Sequence, residues 1–186
     1  MKTKVRIIKV AVITFLLLNV WGLCAQEQFS VNITQDAKLL FAGDEKGNAP
    51  GTINLTIRSE WHGKQQAWGF MFVAPEFEYA DLNGGIYRRY SANVGYTFQL
   101  DRVFATDALK NVQATSSIGI GTIDYNGGYY SLGSNFQLGY QLTNFLVLFV
   151  DLELVDRKDL QYYETEKLKF GETLRASGKF GLKINI

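Results

Sequence analysis

Residues 174 to 186 read Leu-Arg-Ala-Ser-Gly-Lys-Phe-Gly-Leu-Lys-Ile-Asn-Ile, alternating apolar and polar to the last residue. Leu174, Ala176, Phe180, Leu182, Ile184 and Ile186 share one face, and Arg175, Ser177, Lys179, Lys183 and Asn185 share the other. A period of two is a strand with chemically opposite faces. The pattern recurs along most of the chain, so the fold must give every strand one apolar and one polar environment.

The first 25 residues have a different character. Lys2, Lys4, Arg6 and Lys9 precede an apolar run from Val10 to Leu23, and Ala25 offers a small residue for cleavage before Gln26. This order predicts a secretory signal peptide over 1–25 and a mature domain over 26–186. The apolar run is shorter than the roughly 20 residues of a spanning helix. Cys24 also raises acylation as a lipoprotein, but Leu23 before it is larger than such a signal uses. Removing Cys24 with the signal leaves no cysteine, hence no disulfide and no thiolate site. It also turns the formal charge of +1 into −3, since 1–25 holds four cations and no acid. A nucleic-acid partner is therefore not expected.

Alternation predicts eight strands: Phe29 to Phe41, Thr52 to His62, Trp68 to Ala80, Tyr87 to Leu100, Val112 to Tyr125, Tyr130 to Leu142, Phe145 to Val155 and about Phe170 to Ile186. In the first, Gln35-Asp36-Ala37-Lys38 blurs the pattern. In the third, the change of parity near Trp68-Gly69-Phe70 suggests a bulge. Turn-forming sequences such as Asn83-Gly84-Gly85, Asn126-Gly127-Gly128 and Thr143-Asn144 separate the strands and favour antiparallel hairpins. Strands of 10 to 14 residues exceed the usual soluble length of about 5 to 6 and suit a tilted membrane crossing.

Two further patterns bear on the environment. Tyr79, Tyr87, Tyr90, Tyr125, Tyr129, Tyr130 and Phe170 fall near one end of the strands. Trp61, Trp68, Phe98, Tyr140 and Phe145 fall near the other. Two aromatic belts around an aliphatic band match the two interfaces of a bilayer. The polar face meanwhile carries Arg58, Glu60, Glu76, Glu78, Arg89, Asp151, Glu153, Arg175, Lys179 and Lys183. Eight strands enclose just enough room for side chains, so these charges must pair inside. A hairpin about Asn83 brings Glu76 and Glu78 to Arg89, and one about Tyr163 brings Asp151 to Arg175.

In strand number, alternation, belts and terminal strand, residues 26–186 resemble the small outer-membrane β-barrels of the OmpA-transmembrane-domain and OmpX type. The Ala-Gln start further resembles secreted proteins of Bacteroidota. The resemblance implies an all-β, eight-stranded, antiparallel up-and-down transmembrane barrel in a Gram-negative outer membrane. Its partners would be outer-membrane lipid and lipopolysaccharide. In this family the closing strand usually ends in an aromatic residue. Here it ends in Ile186, with Phe180 six residues earlier.

Little in the sequence suggests chemistry. His62 is the one histidine, so a multi-histidine metal site is excluded, and no cofactor motif appears. Some barrels of this size hydrolyse lipid A with a histidine and a serine two apart. Ser59 and His62 are three apart and so lie on opposite faces, while Glu60 shares the face of His62. The connection 156–169, with Tyr162 and Tyr163 among mixed charges, is a candidate contact for sugars or another envelope protein. The expected role is structural or surface interaction rather than enzymatic. The alternatives are a lipid A-modifying hydrolase, a soluble lipocalin-like ligand-binding barrel and, more remotely, a small porin-like channel.

Overall fold

The computed structural model describes residues 28–44, 47–159 and 173–186. The signal segment 1–25, Phe170 and the Tyr162–Tyr163 pair lie outside the described residues. Eight strands form one closed antiparallel barrel in sequence order. They are β1 (Gln28–Asp36), β2 (Asn54–His62), β3 (Gly69–Leu82), β4 (Gly85–Gln99), β5 (Val112–Asp124), β6 (Gly128–Gln141), β7 (Leu146–Asp156) and β8 (Leu174–Asn185). A short helix, α1 (Ala37–Phe41), follows β1, and another, α2 (Leu100–Phe104), follows β4.

The strands are staggered. From His62, paired residues run through Phe72, Gly95, Ser117, Asn135 and Glu153 to Ser177. Ser177 is level with residue 38 in the β1–β8 register, ten residues beyond Gln28, the direct partner of His62. A stagger of this size in eight strands requires them to tilt by about 40° to the axis.

Alternation sorts the side chains. Outward positions such as Ile118, Ile120, Phe136 and Val150 are more than half exposed, whereas inward Asn32, Glu60, Gln137 and Lys183 are buried. The interior is layered. Phe70, Phe72, Val147 and Phe149 fill the end near the chain termini, and charged groups fill the middle. Ala80, Tyr87, Ile123, Tyr125 and Val155 pack together at the opposite end. Gly95 makes room for this filling, because a Cβ there would lie 2.5 Å from Phe72 Cζ.

Three expectations change. The β3–β4 register is unbroken from Gly69 to Leu82, so there is no bulge. The parity change arises because Phe70 and Phe72 point inward, where the end layer is apolar. Tyr87 and Tyr125 also point inward, 1% and 8% exposed, and so belong to no belt. Outward Tyr90 and Tyr130 remain at that end, and Trp61, Trp68, Tyr140 and Phe145 at the other. The first strand stops at Asp36, whose carboxylate accepts a hydrogen bond from Leu39 N (2.8 Å) and starts α1. A capping side chain thus outweighs the strand tendency of Leu39-Leu40-Phe41.

The layered filling makes a stability prediction. Phe72→Ala empties a fully buried site and should destabilise the barrel by about 3–5 kcal/mol, read from urea unfolding in micelles. An unchanged midpoint would contradict this packing.

Candidate functional site

The charged residues of the polar face come from five strands, and their burial follows from strand parity. Arg58, Glu60, Glu76, Glu78, Arg89, Asp151, Glu153, Lys179 and Lys183 are each at most 5% exposed. Arg89 on β4 sits between three carboxylates. Its Nε donates to Glu78 Oε2 (2.9 Å), and its Nη2 donates to Glu76 Oε1 (2.8 Å) and to Glu153. Lys179 on β8 reaches the same acids, Glu78 Oε1 at 3.2 Å and Glu153, and donates to Thr56 Oγ1 at 2.9 Å. Arg58 on β2 meets Glu76 Oε2 at 2.6 Å and stands 3.9 Å from Asp151 Oδ2. Asn135 Nδ2 donates to Asp151 Oδ2 at 3.3 Å.

A second cluster lies nearer the termini. Lys183 Nζ is 2.9 Å from Glu60 Oε2, and Asn32 Nδ2 donates to Glu60 Oε1 at 2.5 Å. Glu60, Ser30 and His62 are mutually within 3.3 Å. Sequence spacing missed Ser30, which comes from β1 and pairs with Glu60 across the sheet. Only the β1–β2 register identifies it. The three resemble a nucleophile, base and acid, yet both oxygens meet the same nitrogen, Nε2, and Nδ1 has no partner. A working triad divides serine and acid between the two ring nitrogens. All three side chains are also buried.

The expected partnership of Asp151 with Arg175 is not formed. Asp151 faces Lys179 across β7 and β8, and Arg175 faces Val155 four residues further along. Arg175 shares the inward parity but sits beyond the buried layers, exposed, with Nη1 donating to the Leu174 carbonyl (3.0 Å). The β7–β8 pairing is centred on position 165 rather than 163, which puts Lys179 in the place expected for Arg175.

Inside the wall, the gap among Asn32, Thr34, Thr56, Arg58, Gln137, Phe149 and Asp151 has no room for a water molecule. The far end differs. There a well of about 690 Å³ opens between the β1–β2 connection, the β3–β4 turn and the upper part of β8. Tyr87 and Tyr125 form part of its lining. The β1–β2 connection is fixed over one lip: Asn48 is held by Asp44 (3.1 and 2.7 Å), and its Oδ1 accepts from Asn83 N (2.7 Å). Arg157 lies 4.3 Å over the Tyr87 ring and makes two hydrogen bonds to Asp159 (2.8 and 2.7 Å). Burial opposes the Arg157 charge, but the Asp159 bonds hold its pKa above the ordinary arginine value. No group of histidine, cysteine or acidic residues suited to a metal occurs among the described residues.

The network separates two arginines that look alike in sequence. Arg89→Met leaves three buried carboxylates short of a partner and should cost about 3–5 kcal/mol. Arg175→Gln should change stability by less than about 0.5 kcal/mol. Urea midpoints of the two variants in micelles check both, and equal costs would contradict the assignment.

No family model and no curated protein sequence matches the chain. Solved structures do. The outer membrane protein Ail of Yersinia pestis, determined in a phospholipid bilayer nanodisc, is 12% identical. The alignment covers 86% of this chain and 99% of Ail, with a TM-score of 0.51. A de novo designed transmembrane β-barrel is 9% identical (86% and 95% covered, TM-score 0.45). Neisserial surface protein A is 11% identical (86% and 94% covered, TM-score 0.43). The chain therefore shares with Ail the fold of a small, closed, eight-stranded antiparallel β-barrel.

Proposed function

We propose that this chain is a small barrel of a Gram-negative outer membrane, exported by its 1–25 segment, with a structural or surface-interaction role and no catalytic one. The observation that carries the reading is the inversion of the barrel: charges inside, apolar side chains outside. A soluble protein seldom exposes an apolar patch beyond a few hundred Å². Here apolar side chains dominate the outward face of every strand, with Ile118, Ile120, Leu132, Phe136, Val150 and Leu152 each more than half exposed. The opposite arrangement, apolar within, is what a lipocalin-like barrel uses, and it does not fit an interior of buried Arg, Lys and Glu.

Dimensions agree with a bilayer. The 11 residues of β7, at about 3.3 Å each and tilted by about 40°, rise by about 28 Å, close to a hydrocarbon core. The aromatics Trp61, Trp68, Tyr140 and Phe145 at one end and Tyr90 and Tyr130 at the other suit its two interfaces. The gap in the middle of the barrel has no room for a water molecule, which disfavours a porin-like role. The likeness to OmpA-domain and OmpX barrels supports lipid and lipopolysaccharide as surroundings. The 156–169 connection is a contact for an envelope partner.

Outer-membrane fractionation followed by gel migration with and without boiling tests the reading. The protein should need detergent for extraction and should change mobility when boiled. Release into the soluble periplasmic fraction would overturn it. Against a hydrolase, His62→Ala should leave the lipid A mass spectrum unchanged, and loss of a lipid A acyl modification would reinstate the enzyme.

A further inference from the structure

We infer that the well at the loop end is a binding site for an uncharged saccharide of one or two rings. The inference rests on the surface-interaction reading above and names its ligand class. The volume of about 690 Å³ lies within the roughly 300–1,000 Å³ of small-molecule sites, and the well opens where a surface protein meets its surroundings.

The charge of the lining sets the class. Among the described residues, three acids, Asp36, Asp44 and Glu78, and three bases, Lys38, Arg157 and Arg175, border the well and cancel formally. Each acid is already engaged: Asp36 with Leu39 N, Asp44 with Asn48, and Glu78 with Arg89, Lys179 and Asn54. Arg157 has its counter-ion in Asp159. Among the described residues a charged ligand thus finds no excess of opposite charge, whereas hydroxyl groups find hydrogen-bonding partners.

Two features supply those partners. Phe29 and Ile186 exchange both backbone hydrogen bonds, so even-numbered residues of β8 direct their N–H and C=O toward β1. Past the Asp36–Lys179 pair, β1 turns into α1 and β8 continues alone on that side. Ala176, which lines the well, consequently presents a strand-edge donor and acceptor with no strand opposite among the described residues. The second feature is Asn54, also on the lining and 7% exposed. Its Nδ2 donates to Glu78, and its buried Oδ1 has no donor. Amide side chains and a strand-edge backbone suit a saccharide, whose hydroxyls carry both hydrogen-bonding senses.

Saturation-transfer NMR on the mature protein in lauryldimethylamine oxide, a detergent without a sugar headgroup, tests the site with lactose and N-acetylglucosamine as probes. At least one sugar should receive saturation. The signal should fall by about fivefold or more in Ser177→Trp, which blocks one wall. Asn83→Trp, on the opposite lip, should do the same if Ser177→Trp does not fold. Suppression by added lipopolysaccharide identifies the envelope's own sugar as occupant, and an unaffected signal identifies a soluble sugar; both uphold the site. No transfer to either sugar, or equal transfer in a folded blocked variant, overturns it. The boiling-dependent gel shift of the same samples reports the barrel independently, so a failed sugar test leaves the membrane reading standing.

Discussion

The structure depends on keeping charges paired inside a cylinder too narrow to hydrate them. An unpaired ion in such a place costs several kcal/mol, and truncating one partner of a buried pair is more damaging than replacing both. Arg89 meets this constraint by touching acids from two strands, Glu76 and Glu78 on β3 and Glu153 on β7. Lys179 then ties β8 to Glu78 and Glu153. The network therefore spans the lumen. It also specifies register, since a one-residue slip of any strand would turn its charges to the outer face.

The apolar layers follow from the same requirement. Phe70, Phe72, Val147 and Phe149 on one side and Tyr87, Ile123 and Tyr125 on the other separate the charged middle from both ends. Excluding water strengthens each pair and makes each omission more costly. Where the layer of aromatics ends, the chemistry changes. The early turn of β1 into α1 leaves the upper edge of β8 open, and the wall there becomes a polar well rather than a sealed core.

Much of this was legible from alternation. The eight strands, their order and the inward placement of nine of the ten named charges follow from a period of two, because a strand has only two faces. Less was legible where the inner face itself changes character. Phe70 and Phe72 alternate correctly, but apolar side chains on the inner face mimic the parity change of a bulge. Tyr87 and Tyr125 match a belt in sequence for the same reason. Arg175 shows a different limit: parity gives the direction a side chain points, while depth along the axis depends on stagger. Ser30 beside Glu60 and His62 likewise needed the β1–β2 register. Helix α1 depended on one cap, Asp36, within a sequence that otherwise favours a strand.

The central claim is that the apolar face meets lipid and the charged face does not. Spin labels placed singly along β7 at residues 148 to 152, in the barrel reconstituted into bilayers, test it most directly through relaxation by dissolved oxygen. Labels at Leu148, Val150 and Leu152 should relax strongly, and those at Phe149 and Asp151 weakly, in strict alternation. Strong relaxation at Phe149 and Asp151 with protection of the leucines would contradict the account, as would a profile with no period of two.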